Sequence, residues 1–185
     1  MTPPERLASL VRGDDRFMAL LRAARACCPP EWAIGAGALR NLVWDHLTGR
    51  TNPARDVDVA YFDVTATVEE EAIERCLNAR CPEVAWDVKN QATVHTWYER
   101  RYGIPLEPYR SLEDAVGTFP ETCTSVAVRL RPDDALDVLA PCGLDDLFEM
   151  VLRRNRRQVT VEMFRRRLAD KRPDERWPGV RVVDG

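Results

Sequence analysis

The sequence lacks the features that mark membrane and secreted proteins. It has no apolar run approaching the roughly 18 residues of a transmembrane helix, which excludes that class. Residues 1–6 lack the apolar core of a signal peptide, so we expect a cytoplasmic protein. Internal repeats and low-complexity linkers are also missing. These absences favour a globular domain within the 185-residue chain.

Cysteine occurs six times, but not in a metal-binding pattern. The sequence contains no CxxC motif and no Cys/His pair at the spacing of zinc ligands. In a chain of this length without a secretory start, we expect reduced and mostly buried thiols rather than a disulfide framework.

The chain has little net charge, because its 27 basic residues nearly balance its 30 acidic residues. This near-balance argues against a general nucleic-acid coat. The distribution is nevertheless uneven: residues 153–185 are strongly basic, and residues 1–152 are acidic. We therefore expect one domain over residues 1–152 with a basic helical tail, 153–185, packed on it or extending from it. The arginines at 153–157 and 165–167 indicate either a solvated helix face or a patch for phosphate or nucleic acid.

The hydrophobic pattern predicts an α/β (α+β) fold with a largely β centre and helices packed on it. Helices are predicted over residues 3–26, 38–47, 67–79, 111–116, 143–152 and 161–169. Strands are predicted over residues 32–34, 57–62, 84–88, 124–130 and 136–139. Residues 97–108 are expected to be irregular, with aromatic side chains that either pack or line a pocket.

The first chemical feature is a strand followed by Gly35, Ala36 and Gly37 and then a helix. Small residues allow a ligand to approach the backbone closely, and a helix N-terminus offers unpaired N–H groups to an anion. Arg40 adds a positive charge one turn into that helix. The segment therefore predicts a phosphate site that includes Asn41.

The second feature is a pair of acids, Asp56 and Asp58, at the start of a predicted strand. Side chains two residues apart in a strand point the same way, so the two carboxylates should lie together. Mg²⁺ prefers such oxygen ligands, completed by substrate phosphates. Asp87, on the next predicted strand, is the candidate third acid or general base, and Asp137 is the alternative.

Polar side chains follow Asp87 where its strand ends, namely Lys89, Asn90, Gln91 and His95. Residues in such a position contact substrates or form turns. We expect Lys89, Asn90 and His95 to contact the substrate.

Taken in this order, the segments resemble the DNA polymerase β-like nucleotidyltransferase superfamily, which includes the tRNA nucleotidyltransferases and poly(A) polymerases. More specifically, they resemble a family of small bacterial nucleotidyltransferase-like proteins. The segments that carry the resemblance are GAGALRNLVWDH (35–46), DVDVAYFD (56–63), WDVKNQATVH (86–95) and APCGLDDLF (140–148). One departure is that this chain has Ala36-Gly37 where the superfamily usually has Gly-Gly or Gly-Ser.

The resemblance implies a nucleotidyltransferase domain over residues 1–152 with a mixed five-stranded sheet flanked by helices. It implies Mg²⁺, with two ions possible, held by Asp56 and Asp58 with Asp87 as the third carboxylate. It also implies a nucleoside triphosphate whose phosphates meet the Ala36-Gly37 turn and Arg40.

We therefore expect transfer of a nucleoside monophosphate from a nucleoside triphosphate to a hydroxyl acceptor, with release of pyrophosphate. Because no C-terminal binding domain is recognisable in this sequence, we expect a small molecule or a protein hydroxyl rather than tRNA. Two alternatives remain: a non-catalytic nucleotide-binding or antitoxin-like module of the same fold, and a nucleic-acid-binding accessory protein that uses the basic tail.

Overall fold

The structure is a computed structural model that describes residues 1–52, 54 and 56–183. The helices are Pro3–Gly13 (α1), Asp15–Cys27 (α2), Ala36–Thr48 (α3), Glu70–Arg80 (α4), His95–Tyr102 (α5), Leu112–Val116 (α6), Asp145–Phe148 (α7), Val161–Lys171 (α8) and Pro173–Arg176 (α9), with a 3₁₀ turn at Thr122–Thr124. The strands are Trp32–Gly35 (β1), Val57–Tyr61 (β2), Trp86–Asn90 (β3), Ala127–Leu130 (β4), Leu136–Leu139 (β5), Val151–Arg153 (β6) and Arg181–Val183 (β7). Within this part of the chain, no helix combines the length and apolarity that a membrane crossing needs.

Five strands form the central sheet in the order β3-β2-β1-β4-β5. Strand β1 runs antiparallel to both of its neighbours, β2 and β4, and β4 and β5 are joined as a hairpin. Strands β2 and β3 are parallel, because α4 connects them as a crossover helix. The mixed five-stranded sheet with flanking helices is thereby confirmed.

The two faces of the sheet are packed very differently. Residues such as Ile34, Val59 and Val88 are buried in the main apolar core. The alternate positions carry small residues, including Ala33 and Ala60, which belong to a much smaller apolar cluster. Since strand side chains alternate between faces, the second face is left with little apolar material and has room for polar groups.

The predicted N-terminal helix over 3–26 is wrong in its continuity, because the chain forms two helices there. Gly13 ends α1, and the carboxylate of Asp14 accepts a hydrogen bond from the backbone N–H of Phe17 at 2.7 Å. That bond caps α2 and fixes a break between the two helices. Regular apolar spacing on both sides hid the break from sequence reasoning.

Three other predicted boundaries also change. The helix expected from residue 67 begins at Glu70, because the backbone N–H and hydroxyl of Thr67 donate to the carboxylate of Asp63. The helix expected over 143–152 ends at Phe148, and Met150 adopts a left-handed backbone with φ +55° before β6 begins. Residues 97–108, expected to be irregular, instead begin within α5.

The expectation that all thiols are reduced is wrong, because Cys27 and Cys76 form a disulfide. These cysteines lie on α2 and α4, which pack against each other and bring the two Cα atoms to 5.8 Å. Sequence spacing could not reveal this pairing, since 49 residues separate the two positions. The remaining cysteines, Cys28, Cys81, Cys123 and Cys142, are free thiols.

The C-terminal segment, residues 153–183, packs on the rest of the chain. Trp177 is fully buried and stacks edge-on against Trp44 of α3, with ring centroids 5.2 Å apart. Phe164 of α8 is also fully buried, and β7 pairs in parallel with β6. The segment is therefore held by apolar burial and backbone pairing in addition to its charges.

Candidate active site

Three acids meet on the sparsely packed face of the sheet. Asp58 lies in β2 directly beside Asp87 of β3, and Asp56 immediately precedes β2. Val57 and Val59 point the opposite way and are buried in the core, as their alternation predicts. All three carboxylates line one cavity of about 270 Å³, and we call these acids the acid wall.

The acid wall is electrostatically unfavourable when the cavity holds no cation. Burial, together with the neighbouring carboxylates of Asp56 and Asp87, raises the pKa of Asp58 to about 6. Neither Asp56 nor Asp58 forms an ion pair with a described residue. A bound cation would relieve this repulsion.

Asp87 differs from the other two acids because it already has a cationic partner. Its Oδ1 lies 2.8 Å from Nζ of Lys89, which also lies 3.6 Å from Oε2 of Glu70. Within the described ranges, no three His, Cys, Asp or Glu side chains are gathered closely enough to form a ligand cluster for a metal ion. The described geometry therefore offers two unpaired carboxylates, Asp56 and Asp58, beside a third that is engaged.

The alternative third acid, Asp137, lies elsewhere. It sits on the edge strand β5, where its carboxylate accepts a hydrogen bond from Nη2 of Arg129 at 2.6 Å. Arg131 approaches the same carboxylate at 3.7 Å. Asp137 is thus paired with arginine on β5, at the opposite edge of the sheet from β3. It does not line the cavity that holds Asp56 and Asp58.

The small-residue turn also lines this cavity, through Ala36 and Gly37. A Cβ on Gly35 would come within 2.4 Å of the carbonyl oxygen of Val126, so only glycine allows β1 to pack this closely against β4. Ala36 adopts φ +53°, a left-handed conformation that disfavours alanine, and its N–H donates to Val126 at 3.1 Å. Gly37 faces open space, with only Nη2 of Arg40 within 4 Å of an added Cβ.

Arg40 also lines the cavity, although its residue is only 5% exposed. Its Nε and Nη2 both donate to Oδ1 of Asn41, at 3.1 and 2.9 Å. Its guanidinium carbon lies 5.1 Å from the ring of Trp44 and 4.9 Å from the ring of Trp177. Asn41 is thus a neighbour that orients Arg40, and its own Nδ2 donates to the carbonyl of Asn52.

Two further cations reach the cavity from α8, and sequence reasoning did not assign them to the site. Arg167 donates from Nε to Oε1 of the buried Glu121 at 2.8 Å, and Lys171 lies one turn further along α8. Although burial lowers it, Glu121 holds the pKa of Arg167 above its ordinary value. Burial and the nearby Arg167 and Arg40 lower the pKa of Lys171. We call Arg40, Arg167 and Lys171 the basic wall.

The other predicted substrate contacts are placed differently. Gln91, like Lys89, lines the cavity. Asn90 is buried, and its side-chain amide is used by the backbone of Asp63. Its Oδ1 accepts from the N–H of Asp63 at 3.1 Å, and its Nδ2 donates to the carbonyl of Asp63 at 2.8 Å. Asn90 therefore links the end of β3 to the loop that follows β2. His95 begins α5 and does not line the cavity, and its buried Nδ1 has no hydrogen-bond partner among the described residues.

Three solved structures share this architecture. A protein whose NMR structure reveals a CCA-adding enzyme head domain matches with a TM-score of 0.79 and 24% identity, covering 98% of this chain and 96% of that one. CCA-adding enzyme in complex with CTP matches with a TM-score of 0.57 and 15% identity, and the complex with ATP with 0.55 and 16%. The chain spans less than half of those two enzymes, 43% and 42%.

These likenesses establish the fold, and a family model carries the comparison further. No curated protein matches the sequence significantly. The model of a family described as nucleotidyltransferase matches residues 22–182, which include both walls of the cavity. The chain therefore belongs to the nucleotidyltransferase family.

Proposed function

We propose that this nucleotidyltransferase is magnesium-dependent and moves a nucleoside monophosphate from a nucleoside triphosphate to a hydroxyl of a small molecule or protein. The observation that carries the proposal is that an acid wall and a basic wall line the same cavity. The acids suit a divalent cation, and the bases suit phosphates. CTP and ATP are bound by the similar CCA-adding enzymes, which supports a nucleoside triphosphate as the donor.

The residues present fit Mg²⁺. This ion is usually held by one or two carboxylates together with substrate phosphates, rather than by an all-protein cage. Asp56 and Asp58 supply two unpaired carboxylates, and burial together with the repulsion from Asp56 raises the pKa of Asp58 above its ordinary value. When bound, Mg²⁺ neutralises charge on the phosphate that is attacked, and a second ion would align the leaving group.

We assign the phosphate contacts to the turn and Arg40. The N–H groups at the start of α3 are unpaired within the helix, as they are at any helix N-terminus. Gly37 leaves open space above them. Arg40 adds a charge that burial and Asn41 keep in one orientation. Of the five positions predicted from sequence, Gly35 and Asn41 then act by shaping the site, and Ala36, Gly37 and Arg40 contact the ligand.

In the reaction, the acceptor oxygen forms a bond to the α-phosphorus, and the bond from the α-phosphorus to the oxygen bridging it to the β-phosphorus breaks. Pyrophosphate leaves with that oxygen. We assign the proton of the acceptor hydroxyl to the carboxylate of Asp87. Lys89, 2.8 Å from Asp87, orients that carboxylate in the cavity.

We also propose that residues 153–183 act as part of this enzyme rather than as a separate nucleic-acid arm. Arg153 pairs with Asp146 at 2.9 Å, and Arg157 pairs with Asp114 at 2.8 Å. These cations are thus used to attach the segment to the domain.

We keep the cytoplasm as the proposed location, although the Cys27–Cys76 disulfide is of a kind more common in oxidising compartments. Fractionation of intact cells, followed by immunodetection of the protein, tests the location. Recovery in the cytoplasmic fraction supports it, and recovery outside the cytoplasm contradicts it.

The reaction is tested by label transfer. The protein is incubated with Mg²⁺, cell extract and ATP or CTP labelled on either the α- or the γ-phosphorus. Transfer of the α-label alone, with release of pyrophosphate, supports the proposal. Transfer of the γ-label instead would indicate a phosphotransferase and overturn it. Binding of nucleotide without any transfer would favour the non-catalytic module.

Calorimetry with ATP tests the metal assignment separately. Mg²⁺ should strengthen ATP binding by the wild type and not by Asp56→Asn. If Mg²⁺ strengthens binding equally in both, the assignment to Asp56 is wrong. The nucleic-acid alternative predicts salt-sensitive RNA binding that is lost when residues 153–157 are neutralised, and this would contradict the intramolecular role proposed for Arg153 and Arg157.

A further inference from the structure

We propose that helix α8 binds the β- and γ-phosphates of the donor nucleotide, and the pyrophosphate that the reaction releases, through Arg167 and Lys171. The proposal rests on the proposed function, because it names the part of the nucleotide that this side of the site receives. It also gives a specific role to part of the basic C-terminal segment.

The cavity contains charged side chains that have no ion-pair partner among the described residues. Four acids and four bases line it: Asp56, Asp58, Asp87, Glu121, Arg40, Lys89, Arg167 and Lys171. Lys89 pairs with Asp87, and Arg167 pairs with Glu121. Neither Arg40 nor Lys171 forms an ion pair with any residue that the structure describes. Two cations and two acids of one cavity, Arg40, Lys171, Asp56 and Asp58, thus have no ion-pair partner among the described residues.

The three cations of the basic wall line one cavity and lie close enough to oppose one another. Burial, and then Arg167 and Arg40, lower the pKa of Lys171, although Glu121 and Asp56 offset part of this effect. Burial and Arg167 also lower the pKa of Arg40, against the opposite effect of Glu121. One buried carboxylate, Glu121, thus serves three cations, so an added anion of high charge between them would be favourable. A pyrophosphate group is such an anion, since it presents several charged oxygens within a short distance.

The guanidinium groups of Arg167 and Arg40 each retain hydrogen-bond donors that the described residues do not use. Arg167 donates from Nε and Nη2 to Glu121, and Arg40 donates from Nε and Nη2 to Asn41. In both, Nη1 forms no hydrogen bond with a described residue. Each arginine is therefore held on one edge of its guanidinium and retains donors on the other, which is the geometry that suits phosphate oxygens.

The anchor of Arg167 is itself fixed. Glu121 is 4% exposed, and the hydroxyl of Thr124 donates to its Oε2 at 3.0 Å. Although burial would raise it, Arg167 and Arg40 hold the pKa of Glu121 below its ordinary value. The carboxylate therefore remains charged and keeps Arg167 at the cavity. Arg167 and Glu121 act as a unit, and Lys171 is the cation that can be removed without leaving a buried charge unpaired.

The position of α8 decides which phosphates it meets. Arg167, Lys171 and the Ala36-Gly37 turn line the same cavity, with Arg40 also in its lining. The acid wall is where the α-phosphorus must lie, because the metal and the acceptor meet there. The phosphates furthest from the nucleoside then extend from the acids toward α8.

The test uses inorganic tripolyphosphate, ATP and AMP as probes in calorimetry with the full chain. Lys171→Gln is the main variant, and Arg166→Gln, an exposed arginine on the same helix, is the matched control. Loss of one charge-assisted contact should weaken tripolyphosphate and ATP binding by about tenfold, whereas AMP binding should not change. Arg166→Gln should leave all three affinities within about twofold of the wild type.

Arg167→Gln leaves Glu121 buried and unpaired, so Glu121→Gln with Arg167→Gln is the variant that keeps the fold testable. It should also weaken tripolyphosphate and ATP binding and spare AMP. Equal weakening of AMP and ATP, equal effects of Lys171→Gln and Arg166→Gln, or unchanged tripolyphosphate binding in both α8 variants would each overturn the proposal.

The outcomes separate this proposal from the proposed function. Tripolyphosphate binding needs no turnover, so Lys171-dependent binding by a protein that never transfers an α-label would support the α8 site while the proposed reaction fails. Normal α-label transfer by a protein whose α8 variants bind tripolyphosphate normally would do the reverse.

Discussion

The acid wall and the basic wall face the same cavity, but the chain builds them in different ways. The acid wall comes from two neighbouring strands, β2 and β3, whose parallel register sets Asp58 beside Asp87. The basic wall comes from α3 and α8, which are far apart in the sequence, and Trp177, beyond α8, packs on Trp44 of α3. Local backbone geometry is enough to place Asp56 and Asp58 together, whereas Asp87 needs the pairing of two strands and the basic wall depends on helix packing.

The two walls also differ in what they contribute to stability. Asp58 is buried beside two other acids, so the acid wall costs folding free energy when no cation is bound. Arg40 and Arg167 are hydrogen-bonded, and Arg40 also packs on aromatic rings, so these arginines are bound into the fold. Substitutions should therefore stabilise the protein at one wall and destabilise it at the other.

The largest effect is expected for Asp58→Asn. Activity should fall by about 10³-fold or more, because a carboxylate proposed to hold the metal is lost. Stability near pH 7 should rise by about 1–3 kcal/mol, because the pKa of Asp58 is raised to about 6 in the folded protein. Nucleotidyl transfer and denaturant unfolding measure the two effects.

The pH dependence checks the cause. A raised pKa means that the ionised form is the unfavourable one, so the penalty is complete above about pH 6 and disappears as pH falls through the range between about 6 and 4. The stability gain of Asp58→Asn should vanish over the same range. Asp170→Asn, at an exposed acid of α8, is the control and should change neither quantity. A destabilised Asp58→Asn would contradict the comparison of the walls.

Trp177→Ala should have the opposite effect on stability. The side chain is fully buried, so its removal should lower the free energy of unfolding by about 3–5 kcal/mol. It should also weaken tripolyphosphate binding, because Arg40 loses one of its two aromatic neighbours. Trp177→Phe removes mainly the hydrogen bond from Nε1 to Asp45 and should cost only about 1–2 kcal/mol. Unchanged stability in Trp177→Ala would show that the segment is not bound into the fold.

Removal of the disulfide should affect stability without affecting either wall. Cys27→Ser with Cys76→Ser should lower the free energy of unfolding by about 2–4 kcal/mol, because the cross-link no longer restricts the unfolded chain. Activity below the unfolding transition should be unchanged, since neither cysteine lines the cavity. A reducing agent should reproduce the loss in the wild type, and Cys142→Ser, at an exposed free thiol, should not. Activity lost in step with reduction would contradict this separation.

Ala36→Gly should have the smallest effect. Glycine tolerates the left-handed φ of +53° that alanine disfavours, so stability should rise by about 0.5–1 kcal/mol. Ala38→Gly, two residues into the same helix, should instead lose about 1 kcal/mol. Thermal unfolding compares the two variants, and a shift of the same sign in both would rule out backbone strain at Ala36.

The difference between the walls also explains how far sequence reasoning could reach. Alternation alone predicted that Asp56 and Asp58 share a face, and the order of strands and helix made Asp87 the candidate neighbour. The sequence could not decide whether Asp87 or Asp137 is the third acid, because the order of strands in the sheet is a tertiary property. The run of arginines at 165–167 was visible in the sequence. Which of them faces the cavity depends on how α8 is rotated about its axis. The burial of Phe164 in α8, together with that of Trp177 beyond it, sets this rotation.

Where sequence reasoning failed, a local bond had replaced the expected pattern. Asp14 divides a helix that apolar spacing makes continuous, and Asp63 takes the hydroxyl of Thr67 that would have capped α4. Asn90 was expected to contact substrate, but its amide is occupied by backbone groups of Asp63. Polar residues at strand ends are ambiguous in this way until the partners of their donors and acceptors are known.

The packing of Arg40 against both Trp44 and Trp177 determines when the entropy of its side chain is lost. Freezing a long side chain costs about 0.5–1.5 kcal/mol, and here folding incurs that cost before any nucleotide arrives. The incoming phosphate therefore meets a charge that is already aimed. Loosening the segment around Trp177 should therefore weaken the affinity for phosphate. Arg40 would then have to be immobilised anew in every binding event.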